Sequence, residues 1–248
     1  MSLQLYPFST PNLTIIDGPG DVTGLLNVEI LASRSALDVL KTSLTPTQMV
    51  DILKPATIEA DSFWRDLVFQ SQGTAMIPAD IHISLTSPRM NVSSFLEWYN
   101  ANGGSPEVFG RAHPENYWAQ TTTNPDGTTL RLDAIEGFDG HVTRFDMPTF
   151  GPPDRAQFPF LRPMPEYPIQ VGGPLELLDG TLWGVSHTSF KEPDDAEGVE
   201  LFTTTWLPSK SSEALVLDIR RHTMLDWVNW LVEGSEAVGG SGNRVARR

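Results

Sequence analysis

The sequence predicts an α+β fold, a curved antiparallel sheet packed on a long C-terminal helix. Three observations predict it. Alternating or apolar segments, punctuated by Gly, Pro and Asp, fill most of the chain between residues 67 and 208. The longest helical pattern comes last, at 217–233. The 248 residues suffice for one large domain or two small ones with a buried core. Strands followed by a closing helix read as a segregated α+β arrangement, and a cup between the two layers suits a small apolar ligand.

In chain order, residues 33–41 and 45–53 read as short helices, with Pro46 where a first turn tolerates it. Strands are expected at 67–72 and 79–87. A helix follows at 91–100, with Val92, Phe95, Leu96 and Tyr99 on one face and Gly103-Gly104 at its end. Strands at 128–135 and 141–146 flank Asp139-Gly140, a hairpin-turn pair. Strands at 181–190 and 199–208 pair across the acidic loop 191–198. The helix at 217–233 should set Ile219, Leu225 and Val228 against the sheet, with Gly234 as its C-cap. The expected organisation is a helical or extended N-terminal segment at 1–60, the cup at 61–237, and a frayed Gly/Ser-rich, then basic, tail at 238–248.

Composition narrows function. The net charge of −14 opposes nucleic acid and anionic membrane surfaces as partners. With no Cys, disulfide scaffolds, thiolate metal sites and Cys nucleophiles are excluded. No apolar run approaches the roughly 20 residues of a membrane span, and no signal-peptide pattern opens the sequence, so a cytoplasmic protein is expected. A homodimer is allowed. There is no Gly-rich phosphate loop, Gly-x-Ser-x-Gly elbow or His-Glu-x-x-His.

The five histidines and the carboxylates are therefore the candidate chemistry. His222 and Asp226, four apart on the last helix, share one face and could grip a cation; taken alone, they read first as a surface pair. His113-Pro-Glu-Asn116, followed by Tyr117 and Trp118, could place an imidazole and an amide at a pocket mouth, or be a plain loop. Glu136 ends an apolar strand and by itself reads as an edge carboxylate facing water. His187 lies in an apolar, hydroxyl-rich strand, where a satisfied core histidine is the commoner outcome.

Taken in order, these segments resemble the diacetylphloroglucinol hydrolase/phloretin hydrolase family. The resemblance runs through 88–99, His113-Pro-Glu-Asn116, the Ala134–Pro148 strand and turn, and the His222–Leu231 helix, covering roughly residues 50–235. It implies a Bet v1/START-like cup and one Zn²⁺ held by His113, Glu136, His222 and Asp226. It further implies hydrolysis of the carbon–carbon bond between an acyl group and a polyphenol ring. Asn116 matches a substrate-binding amide, and His187 loosely matches a histidine facing the substrate. Asp226 stands where the family has Glu, which shortens its reach by about 1.5 Å. Under this reading His187 or Tyr117 supplies the proton to the leaving ring, and Trp98, Trp183 and Phe202 line the pocket of a small aromatic or polyketide substrate. A cofactor-independent cyclase, dehydratase or pericyclase using the same cup is the second reading, and a non-catalytic carrier is the third.

Overall fold

The computed structural model describes residues 22–123 and 129–240. Two helices lead, α1 (Val22–Ser43) and α2 (Pro46–Gln70), followed by β1 (Ile77–Thr86), α3 (Val92–Asn102) and α4 (Pro106–Ala112). Six strands come next: β2 (Asn116–Thr123), β3 (Thr129–Phe138), β4 (His141–Met147), β5 (Ile169–Glu176), β6 (Leu182–Lys191) and β7 (Gly198–Leu207). Helix α5 (Glu213–Gly240) closes the chain. The strands form one antiparallel seven-stranded sheet in the order β1-β7-β6-β5-β4-β3-β2. Pairing is narrowest between β4 and β5, at Asp146 and Glu176. The expected α+β class, a sheet packed on a long last helix, is the observed one.

Local chemistry fixes the element ends. Thr45 caps α2 in a reciprocal box with Gln48, and Pro46 sits in the first turn. Asn91 and Ser94 form the equivalent box on α3. Asp139 (φ 48°) and Gly140 (φ 81°) are both left-handed, as a two-residue turn between β3 and β4 requires.

Several expectations are corrected. Residues 67–72 are not a strand. Residues 67–70 finish α2, because Ala60, Trp64 and Leu67 fall on one buried helical face and override the β-like Leu-Val-Phe run. The helix expected at 217–233 runs to Gly240, so Gly234 does not cap it. A Cβ at Gly234 would come within 2.9 Å of Trp98 and 3.0 Å of Phe95, so the glycine permits the close crossing of α3 and α5. The buried face of α5 carries Leu215, Ile219, His222, Asp226 and Trp230, while Met224 and Val228 face outward. Val228 is thus not against the sheet. The expected strand start at 128 and the tail from 241 lie outside the described residues.

The main core lies between the inner face of the sheet and the helices. It holds Trp64, Phe95, Phe138, Trp183, Phe190 and Trp227. A smaller cluster of Phe158, Leu161, Val185 and Trp206 packs the β4–β5 connection onto the outer face. Among the described residues no helix is long and apolar enough to cross a membrane.

Candidate functional site

Between the inner face of the sheet and α5 lies a cavity of about 280 Å³. This is near the lower end of small-molecule sites, about 300–1,000 Å³. Phe138, Phe145, Trp183, Trp227 and Trp230 give it aromatic walls. Among the described residues no lysine or arginine lines it; its ionisable residues are Glu136, His222, Asp226 and Tyr99.

Glu136 reaches this cavity by strand alternation, since Leu132, Glu136 and Phe138 share the inner face of β3. His222 and Asp226 arrive from one face of α5, four residues apart. Their ligand atoms and that of Glu136 all lie within 4.8 Å of one another, and all three residues are buried. Nε2 of His222 is the hub. It lies 2.9 Å from Asn116 Oδ1, 3.3 Å from Glu136 Oε2 and 3.4 Å from Asp226 Oδ2. Asn116, fully buried, also donates through Nδ2 to Asp226 Oδ1 (2.9 Å) and to the Phe109 carbonyl (3.0 Å). Its amide is thus engaged behind the cavity wall, where it orients Asp226 and His222, and Asn116 does not line the cavity.

Electrostatics follow from this crowding. Burial works to lower the His222 pKa, but the Asp226 and Glu136 carboxylates outweigh it and raise it to about 9. Burial lifts the Asp226 carboxyl to about 7, against the pull of His222. Burial also pushes the Tyr99 phenol well above its usual range.

His113 sits beside this triad rather than within it. Its ring stacks on His222 at 3.8 Å, and its Nδ1 accepts from the Glu115 N–H at 3.0 Å. Burial, then the charge of His222, lowers its pKa to about 3, so the ring is neutral and carries its proton on Nε2. It groups with Glu115 and His222 in a second, more open cluster. Lys41 of α1 holds the adjoining backbone, donating to the carbonyls of Gly110 (3.0 Å) and His113 (3.2 Å).

The other expected site residues are scattered. Trp183 lines the cavity. His187 is on the opposite face of β6, its Nε2 3.2 Å from Gln170 Oε1 and 3.4 Å from Ser189 Oγ, and burial lowers its pKa to about 4. Phe202 lies on that face too, 5.8 Å from the His82 ring. Tyr117 packs with Met49, Trp118 and Ile135, under the Lys41 ammonium. Trp98 packs beside the cavity on α3, against Phe95. Sequence reasoning missed Tyr99, Trp227 and Trp230 as lining residues. For Trp227 and Trp230 the signal was the helical spacing that puts 219, 222, 226, 227 and 230 on one side of α5; for Tyr99 it was its place on the apolar face of α3.

A divalent cation fits the inner triad on its chemistry. With His222 neutral, one imidazole and two carboxylates offer N and O donors and two negative charges in a buried space. His222 Nδ1 is buried without a partner, so its proton placement is not locked by a second hydrogen bond.

No family model and no curated protein matches the chain. Solved structures similar to it include a START superfamily protein from Mycobacterium smegmatis, with 12% identity, 66% of this chain and 95% of that one covered, and a TM-score of 0.37. Ara h 8.0201 shares 10% identity over 64% of this chain and 98% of its own, with a TM-score of 0.41. An uncharacterized protein from Rhizobium leguminosarum shares 11% over 66% and 97%, with a TM-score of 0.38.

Proposed function

We propose that the protein is a metal-dependent hydrolase that cleaves the carbon–carbon bond between an acyl group and an oxygenated aromatic ring. The observation that carries this reading is the convergence of Glu136, His222 and Asp226 on the wall of an aromatic cavity. The ordered resemblance through 113–116, 134–148 and 222–231 supports the same reading. These three residues would hold the ion, zinc in the first instance. When bound, such an ion polarises a carbonyl and makes water a nucleophile near neutral pH.

In the reaction, water oxygen bonds to the acyl carbon and the acyl–ring bond breaks with its electron pair going to the ring. The ring carbon then takes a proton, giving a carboxylic acid and the deacylated ring. The chain's residues orient these partners. Trp183, Trp227 and Phe138 enclose the flat ring and exclude bulk water. Asn116 fixes the carboxylate of Asp226. Tyr99, held protonated by burial, is the cavity's phenolic donor to the ring, in place of His187 or Tyr117. Two carboxylates without a lysine or arginine select neutral substrates.

The test is acetate release from a panel of acetylated phloroglucinols and resorcinols. Zinc-loaded protein should release acetate and the deacylated phenol in equal amounts, and Glu136→Gln should release neither. No acetate from any member of the panel would refute the reaction. A second reading, a metal-free cyclase or dehydratase, is favoured by one observation: the buried Asp226 carboxyl, its pKa raised by that burial, lies 3.4 Å from His222 Nε2 on the cavity wall, an acid and a base side by side. Turnover that survives chelation would select it.

A further inference from the structure

The inner face of β6 and β7 carries four hydroxyls in two directly opposed pairs, Ser186 with Thr205 and Thr188 with Thr203. All four line the cavity. The second pair satisfies itself, Thr203 Oγ1 donating to Thr188 Oγ1 at 2.8 Å. Among the described residues, the Ser186 and Thr205 hydroxyls have no side-chain partner. Side chains directly opposed across antiparallel strands stand about 5 Å apart at Cβ, close enough to share one ligand oxygen. Neither hydroxyl is sealed away from the cavity space, so both are free to bond a molecule that enters it. The hydroxyl pair therefore has a polar partner to find, and the cavity is where it can come from.

We infer that Ser186 and Thr205 determine specificity by reading a neutral oxygen, hydroxyl or carbonyl, at the end of the substrate far from the Glu136–His222–Asp226 triad. Strand order sets the separation. Glu136 is on β3 and Ser186 on β6, three strand steps apart, a cross-strand component of about 14 Å to which the register offset along the strands adds. A substrate engaging both ends has an acyl group at one and an oxygen function at the other, on a flat body of one or two rings. The inference rests on the proposed use of this cavity as a substrate site, and is independent of whether the triad holds metal or breaks a bond.

Three probes and metal-stripped protein separate the two. The probes are 6-hydroxy-2-acetonaphthone, 2-acetonaphthone without the hydroxyl, and 6-acetyl-2-naphthoate with a carboxylate in its place. Binding is read by quenching of tryptophan emission, since Trp183, Trp227 and Trp230 line the cavity. Wild type should bind the hydroxylated ketone about five- to tenfold more tightly than the deoxy ketone, the worth of one to two hydrogen bonds. The carboxylate should bind more weakly than either. Ser186→Ala/Thr205→Val should bind the two ketones within about twofold of each other. The exchange Ser186→Thr/Thr205→Ser keeps both hydroxyls and should keep the preference. Equal binding of the two ketones by wild type, or an undiminished preference in the double variant, would overturn the inference. Failure of acetate release alone would leave these binding results intact and fall on the proposed reaction.

Discussion

Asn116→Ala is the most informative single change behind the cavity wall. It removes three hydrogen bonds in a fully buried setting, one to the Phe109 carbonyl, one to Asp226 and one to His222. A neutral bond contributes about 1 kcal/mol and bonds to charged groups about 1.5–3 kcal/mol. Some relaxation of Asp226 toward His222 offsets this, so the expected loss is about 3–5 kcal/mol. Urea denaturation of chelator-treated protein at pH 7 measures it. With a slope of about 3 kcal/mol per molar, the midpoint should fall by roughly 1–2 M. Asn116 holds the Asp226 carboxylate, one of the proposed ligands, so zinc affinity should fall by about 10- to 100-fold in the same variant. A stability loss under about 1 kcal/mol would refute the reasoning, because it would mean that the amide is not holding the triad.

Three further outcomes follow from the geometry. In chelator-treated protein, the stability advantage of wild type over His222→Gln should shrink between pH 7 and 10. The raised His222 pKa makes its contribution complete below about 6.5 and loses it as pH climbs through about 9, a change on the order of 3 kcal/mol, while Asp226, raised to about 7 by burial, completes its ionisation at the low end of that range; a flat difference would contradict it. His187→Ala should leave acetate release within about twofold of wild type while lowering stability by about 1–2 kcal/mol, as expected for a neutral imidazole on the outer face; a hundredfold loss of turnover would return it to the mechanism. Gly173→Ala should destabilise by more than about 3 kcal/mol, since its Cβ would collide with the Thr149 carbonyl oxygen where the β4–β5 connection presses on the sheet; a thermal melt within a few degrees of wild type would contradict that packing.

What the sequence showed and hid has physical causes. His222 and Asp226 were legible because four residues on a helix fix a shared face without further information. Asp139-Gly140 and the Lys191–Gly198 connection were legible because turn chemistry is local. The facing of His187 was not. Trp183 and Ser186 both line the cavity although they are an odd number apart, because the register shift between Leu175/Gly184 and Glu176/Leu182 changes the alternation there. That slip leaves His187 on the opposite face from Trp183, and Phe202, opposite Ser189 in the regular β6–β7 register, shares the face of His187; no property of the two residues signals it. The register shift between Asn116 and Trp118 likewise turns Asn116 toward α5 while Trp118 packs in a different cluster. Strand β5, with Gly172, Gly173 and Pro174, lacks an alternating apolar signature, and α4 is too short to show a period.

The central claim is that Glu136, His222 and Asp226 form one divalent-cation site. Titration of zinc into chelator-treated protein by calorimetry tests it most directly. The account predicts one ion per chain with submicromolar affinity in wild type, and at least a hundredfold weaker binding in both Glu136→Gln and Asp226→Asn. Absence of binding to wild type, or binding of wild-type strength in either variant, would contradict it.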